Sequence, residues 1–245
     1  MNTISQERID ELYKTFSPLI NLKIDWLTIP DKALLGFEPS QVAVIVNTLL
    51  DGILPQIELL ASDNENFESL REIGLKKSPG TIGERESYPD YVHISGVRVE
   101  LKGLFVDNPA LKLKRPPTPR ENSARLKENV TMDVIQPDRD VLLIAAIQLK
   151  EENGHCSPYI ADIGVFPVYE CIKARDERLY AAGGMWFGKV PKVVKGKSLY
   201  KMRSGEELLE SDFEKDTNFG KLKRIPYQPL QEFMRKWLGR SATDL

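Results

Sequence analysis

A chain of 245 residues with 41% hydrophobic and 29% charged content can bury a full core, and its composition is that of a globular protein. A formal net charge of −2 does not by itself announce a nucleic-acid binder, and two cysteines with two histidines are too few for a structural zinc framework. No apolar run reads as membrane-spanning, and the amino terminus MNTISQERIDEL is polar where a signal peptide is basic and then apolar, so a cytoplasmic protein without a membrane partner is expected.

The first predicted element is an amphipathic helix. Thr3 stands three residues before Gln6 in capping-box spacing, Ile9, Leu12, Tyr13 and Phe16 recur at helical intervals, and Pro18 ends the pattern. Residues 25–37 read as an irregular connection. Over 39–60 the positions Val42, Val44, Ile45, Leu49, Leu50, Ile53 and Leu54 predict a long, mostly buried helix that Pro55 kinks or breaks. A third helix is expected over 66–73, ending at Gly74. These helices form either a layer over a sheet or part of a subunit contact, and nothing in them suggests chemistry. The segment before Lys76 is rich in Glu and Asp while later stretches are basic, so charge is segregated along the chain.

Residues 88–103, YPDYVHISGVRVELKG, carry the most chemistry. Two runs of strand-formers, 91–94 and 97–101, flank Ser95-Gly96, a hairpin signal. With a three-residue loop, Ile94-Ser95-Gly96, His93 pairs with Val97, Tyr91 with Val99 and Asp90 with Glu100. Asp90, Val92, Arg98, Glu100 and Lys102 then share one face, and Tyr91, His93, Val97, Val99 and Leu101 the other. A two-residue loop instead sets Asp90 against Leu101 and separates the carboxylates. In the first register Asp90 and Glu100 offer hard oxygens to a divalent cation, and magnesium takes only one or two protein carboxylates. Lys102 projects beside them, placed to orient or deprotonate water and to offset charge on a phosphorane-like state. The competing reading is a surface hairpin whose charges form a solvated face.

Pro89-Asp90, nine intervening residues and Glu100-Leu101-Lys102 resemble the PD-(D/E)xK signature of the restriction-endonuclease-like nucleases. The resemblance reaches from the acids near Glu84 to the strand ending near Lys150. It implies an α/β fold with a central mixed β-sheet flanked by helices and with the motif on a hairpin of that sheet. It further implies Mg²⁺ or Mn²⁺ held by Asp90 and Glu100, with Glu84 or Glu86 as an additional ligand and Lys102 at the attacking water. The implied activity is hydrolysis of double-stranded DNA by a type II restriction-type endonuclease acting as a homodimer.

Beyond the hairpin, prolines 109, 116, 117 and 119 argue against regular structure. Lys112, Lys114, Arg115 and Arg120 give that stretch a basic character, suited to DNA phosphates or to an exposed charged loop. The run 140–149 reads as a strand covered on both faces. It carries a weaker echo of the motif, Pro137-Asp138 followed by Gln148-Leu149-Lys150, and a strand here beside the hairpin puts Gln148 and Lys150 at the rim of the site. His155-Cys156 reads as a polar loop, and 159–172 as a strand bent at Pro167. In the stretch 185–203, Lys189, Lys192, Lys195, Lys197, Lys201 and Arg203 have no intervening acid and are interleaved with Trp186, Phe187 and Tyr200. A flexible nucleic-acid-embracing segment and a basic strand pair on a sheet edge both fit. Residues 206–214 are expected to be helical and 229–238 to be an amphipathic packing helix. The whole is read as one domain over 1–245, with a helical layer over 1–75, a catalytic sheet over 84–175 and a basic part over 180–245. Two alternatives remain open: a repair, recombination or RNA-directed nuclease of the same fold, and a non-catalytic nucleic-acid-binding protein.

Overall fold

The computed structural model describes residues 2–63, 65–68, 70–79, 88–114 and 122–238. Within 1–245 the chain forms two compact units, Met1–Ala124 with Gln136–Pro167 and Arg125–Ile135 with Val168–Leu245.

In the first unit, α1 (Gln6–Phe16) starts at Ser5, whose hydroxyl accepts the Arg8 N–H, so the cap lies beyond the Thr3 that the sequence favoured. Its Ile9, Leu12 and Phe16 are buried. Helix α2 (Pro39–Ile53) buries Val42, Val46, Leu50 and Ile53, one stripe at helical spacing. Pro55 lies in a 3₁₀ turn, Leu54–Gln56, that leads into α3 (Ile57–Asp63), the break expected of it. Where one helix was expected over 66–73, the chain forms α4 (Glu65–Glu68) and a 3₁₀ turn (Arg71–Ile73) that Gly74 ends at φ 63°. By length and composition the run Pro39–Ser62 suffices to cross a membrane, contrary to the reading of the sequence; its buried stripe belongs to the core cluster of this unit.

Strands β1 (Ile29–Pro30), β2 (Leu75–Lys77), β3 (Tyr91–His93), β4 (Arg98–Phe105), β5 (Asp140–Glu152) and β6 (His155–Pro167) form one sheet in the order β1-β6-β5-β4-β3-β2. Among the described strands of this sheet only β4 and β5 run parallel, so the sheet is mixed, and with its helices it gives the α/β class expected. Val141, Leu143, Ala145 and Ile147 of β5 join the core cluster that includes the α1 and α2 stripes. Leu142, Ile144 and Ala146, pointing the other way, are equally buried. The continuous apolar run therefore has both faces covered. His155-Cys156 lies in β6, with Cys156 buried and His155 exposed, and not in a loop. Pro167 ends β6 where a bend was expected, and helix follows at once. The expected sheet boundary at 175 thus falls inside a helix.

Helix α2 approaches β4 closely at one glycine. A Cβ on Gly103 would stand 1.6 Å from Asn47 Oδ1 and 2.7 Å from its Cγ, so no larger residue fits without moving Asn47. This contact fixes the helix over the strand that carries the motif.

The second unit contains α5 (Val168–Ala181), β7 (Met185–Phe187), β8 (Val190–Val194), α6 (Gly196–Ser204), β9 (Phe213–Lys215) and α7 (Gln228–Leu238). Its strands form a separate antiparallel sheet in the order β7-β8-β9. The basic stretch is thus a hairpin followed by a helix, and neither an unstructured arm nor an edge of the main sheet. The acidic residues 206–214 are not helical as expected: a 3₁₀ turn at Glu210–Asp212 leads into β9. Helix α7 lies where the periodicity placed it. Arg175 of α5 is fully buried. Its Nε donates to Asp176 Oδ1 (2.9 Å), its Nη1 donates to the Lys127 carbonyl (3.2 Å), and its guanidinium lies 4.4 Å from the Phe219 ring centroid. One cation thus ties the segment Arg125–Ile135 to α5.

Gly103→Ala should destabilise the fold by about 1–3 kcal/mol through overpacking. Combining it with Asn47→Ala should recover most of that loss. Urea unfolding of the two single variants and the double variant measures the coupling; strictly additive losses would show that Asn47 is not the obstacle.

Candidate active site

The β3–β4 hairpin adopts the three-residue-loop register. Tyr91 pairs with Val99 and Val92 with Arg98, the His93 N–H donates to the Val97 carbonyl (2.8 Å), and Gly96 takes φ +82°. Asp90 therefore stands opposite Glu100, with Lys102 two residues further on the same face.

The next rung of this ladder falls between residues 89 and 101. Proline at 89 has no N–H to give to the Leu101 carbonyl. Two side chains bond the Leu101 backbone on this edge, one of them in place of the absent donor. The Leu101 N–H donates to Asp90 Oδ2 (2.8 Å), and Lys102 Nζ donates to the Leu101 carbonyl (3.0 Å). The same ammonium donates to Glu100 Oε1 at 2.5 Å and lies 3.5 Å from Asp90 Oδ2. One cationic atom is thus shared by two carboxylates from paired strands.

This is not a solvated face. The side chains of Glu100, Lys102 and Asp90 are 5%, 15% and 26% exposed, so the buried acid and the ammonium interact largely out of water. In register on β5, Glu100 and Lys102 are neighboured by the buried Leu142 and Ile144, which give the site an apolar floor. Burial alone would pull the Lys102 ammonium down, but the carboxylates of Glu100 and Asp90 outweigh it and hold the lysine above its ordinary value. Lys102 is a fixed positive charge here, which favours orienting and charge-stabilising roles over removing a proton.

Beside the motif, at the start of β4 and β5, lies a second buried network. Arg98 Nε is 3.1 Å from Asp140 Oδ1, the Tyr88 hydroxyl donates to Asp140 Oδ2, and the Gln136 N–H donates to the same oxygen (2.9 Å). Burial raises the Asp140 carboxyl above its usual range, against the pull of its hydrogen bonds and of Arg98. The pair joins the first residues of β4 and β5 and sets the parallel register from which Glu100 and Lys102 project.

Reasoning from sequence missed Asp51, the one charged residue between Pro39 and Ile57. Carried on the last turn of α2, its Oδ1 accepts hydrogen bonds from the Tyr91 hydroxyl (2.5 Å) and Lys77 Nζ (2.5 Å). Burial would raise Asp51, but the hydrogen bonds from Lys77 and Tyr91, with the charges of Lys77 and Lys102, hold it below 3.8. A lone acid in an apolar helix was the only signal available, and the helix had to be packed on the sheet before it meant anything.

The remaining predicted residues separate into groups. Gln148 lies four positions beyond Ile144, the register partner of Lys102, roughly 13 Å along the strand at about 3.3 Å per residue. It is not at the rim of the site: its amide accepts from the Tyr159 hydroxyl and donates to the Asp107 carbonyl. Lys150 is further away still, 3.0 Å from Glu152. The echo of the motif fails for the same reason, because Asp138 precedes β5 while Gln148 and Lys150 lie near its other end. Lys112 and Lys114 are exposed in the loop after β4, and Lys189, Lys195 and Lys197 are exposed in the second unit. Lys192 is held by Glu210 (2.8 Å). Glu84, Glu86, Arg115 and Arg120 lie outside the described residues.

The donor set fits a hard divalent cation. Two carboxylates converge on one cationic centre, one buried and one partly open, as magnesium's modest demand for protein ligands requires. Among the described residues no group of three or more His, Cys, Asp or Glu is assembled for a metal.

Asp51 gives a pH prediction. A carboxylate held low in the folded state contributes stability above its unfolded pKa, near 3.8, and that contribution is lost as pH falls through the folded value. Asp51→Asn should therefore lower stability at neutral pH and flatten its decline below about pH 4. Urea unfolding from neutral to acid pH reads both, and parallel curves for the two proteins would contradict the assignment. No protein-family model, curated protein or solved structure matches the chain.

Proposed function

We propose that this chain is a metal-dependent endonuclease of the restriction-endonuclease-like kind, hydrolysing phosphodiester bonds of double-stranded DNA. The observation that carries the reading is the convergence of Asp90 and Glu100 on the Lys102 ammonium within a partly buried hairpin. Neither a solvated surface hairpin nor the two-residue-loop register produces that arrangement. The mixed sheet flanked by helices is compatible with the same reading, which extends to a homodimer presenting two equivalent sites to the two strands.

In this proposal Asp90 and Glu100 would hold Mg²⁺ or Mn²⁺, which would supply a Lewis acid for the phosphate and lower the pKa of a water. Glu100, the more buried of the two, provides a fixed carboxylate whose charge acts strongly in its apolar setting. Asp90, anchored by the Leu101 N–H and partly open, faces the approach of substrate. Lys102 holds its proton at Nζ, orients the attacking water and offsets the negative charge that grows on the phosphoryl oxygens. Its tether to the Leu101 carbonyl keeps it in position before substrate arrives.

Digestion of supercoiled plasmid with Mg²⁺, with EDTA as the blank, tests this directly. Lys102→Ala and Glu100→Gln should each lower the cleavage rate by at least about a hundredfold. Circular dichroism should show that both variants remain folded. Scission undiminished in Lys102→Ala, or scission that persists in EDTA, would reject the assignment. Defined fragments from long duplex DNA are expected; activity confined to branched, single-stranded or RNA substrates would move the chain to a repair or RNA-directed role.

A further inference from the structure

Helix α6 of the second unit is unusual in what it shows to solvent. Of its described side chains none is buried. Leu199, Tyr200 and Met202 are 42%, 74% and 46% exposed, where a packing helix would hide them. Gly196, Leu199, Tyr200 and Arg203 fall at i, i+3, i+4 and i+7 and so share one face, with Lys197 one turn before Tyr200. Lys201, one turn beyond Lys197 at the flank of this face, is half-buried and turned toward Asp212 (3.5 Å). The outward face thus presents a tyrosine between two cations, beside a leucine.

The charges are also available. Among the described residues neither Lys197 nor Arg203 is held by a carboxylate, and Lys195, at the start of the helix, gives its ammonium only to the Ser211 carbonyl (2.8 Å). No acid occurs between Gly188 and Gly205; Glu206 and Glu207 follow the cap, while Glu210 and Asp212 are taken by Lys192 and Lys201. The second unit has more Lys and Arg than Asp and Glu, although the chain as a whole has 34 against 36. Its cationic excess is therefore offset by an acidic excess in the first unit.

We propose that the outward face of α6, through Lys197, Tyr200 and Arg203 with Lys195 beside them, is a docking surface for the sugar–phosphate backbone of duplex DNA. An acid-free cationic face is complementary to a polyanion, and an exposed tyrosine between two cations adds apolar contact with sugars and bases. The choice of duplex DNA among polyanions rests on the nuclease reading. The existence of the surface does not.

The test uses the full chain and a fluorescein-labelled duplex in EDTA, so that binding is read without cleavage. Fluorescence anisotropy should show affinity falling steeply between roughly 50 and 200 mM salt. The double variant Lys197→Ala/Arg203→Ala should bind about tenfold more weakly at the low-salt end, with a log–log salt slope shallower by about 2. A charge-matched control on exposed lysines of the first unit, Lys14→Ala/Lys32→Ala, should bind as the wild type does. The proposal is overturned if the α6 variant binds like the wild type, if the control weakens binding equally, or if the wild type binds vesicles of anionic phospholipid and not the duplex. Salt-sensitive binding lost in the α6 variant, in a protein that shows no metal-dependent scission, would retain the docking helix and remove the nuclease. Scission with undiminished binding by the α6 variant would do the reverse.

Discussion

The candidate site depends on a backbone rung that proline cannot complete. Residue 89 sits where the β3–β4 ladder needs another donor, and without one the Leu101 carbonyl would face a gap. Lys102 fills that gap and Asp90 accepts from the Leu101 N–H beside it, each using part of its polar capacity on the backbone and directing the rest into the site. Proline, acid and lysine are therefore coupled by hydrogen-bond satisfaction, not merely by spacing. The arrangement also explains how the backbone itself holds the carboxylate of Asp90 and the ammonium of Lys102 in place.

Holding three charges in a partly buried position requires support from behind, because like charges so near each other repel and desolvation opposes them all. Lys102 offsets the repulsion between the acids, and their combined field keeps it protonated. The Arg98–Asp140–Tyr88 network at the start of the same strands pairs its own cation with its own carboxylate. On the opposite face, the Asn47–Gly103 contact holds α2 close, and Asp51 at the end of that helix adds a carboxylate whose low pKa owes part of its depression to Lys102. The site is thus built from both sides of the sheet, although its reactive groups lie on one.

The hairpin was legible because its determinants are local: a glycine able to take a left-handed turn, strict alternation on either side, and a charged set on one face. The long strand at 140–149 was legible for a similar reason. Elsewhere local signals misled. Residues 159–172 form one mostly apolar stretch interrupted by Asp162 and Glu170, and alternation does not reveal that Pro167 closes a strand while Val168 opens a helix. The acidic stretch near 210 has helical composition, but Phe213 is drawn into a strand by its pairing with Val194, a tertiary choice. Gln148 and Lys150 matched the motif by spacing alone, and a strand extended over thirteen residues carries spacing to distance without bringing ends together. Asp51 required knowledge of how α2 lies on β4, which no window of sequence contains.

The two units also have an unusual covalent relation. The chain enters the second unit at Arg125, returns to the first at Gln136 to lay down β5 and β6, and crosses again at Val168. Three crossings make both units discontinuous, and Arg175 joins the separated pieces of the smaller one through the Lys127 carbonyl. Truncation after Pro167 would leave Arg125–Ile135 stranded without its partner helix, and a fragment beginning at Val168 would lack the strand of chain that Arg175 grips. No single cut of the chain therefore releases either unit whole, and the motif strand and the basic helix cannot be separated, with their units intact, by one truncation.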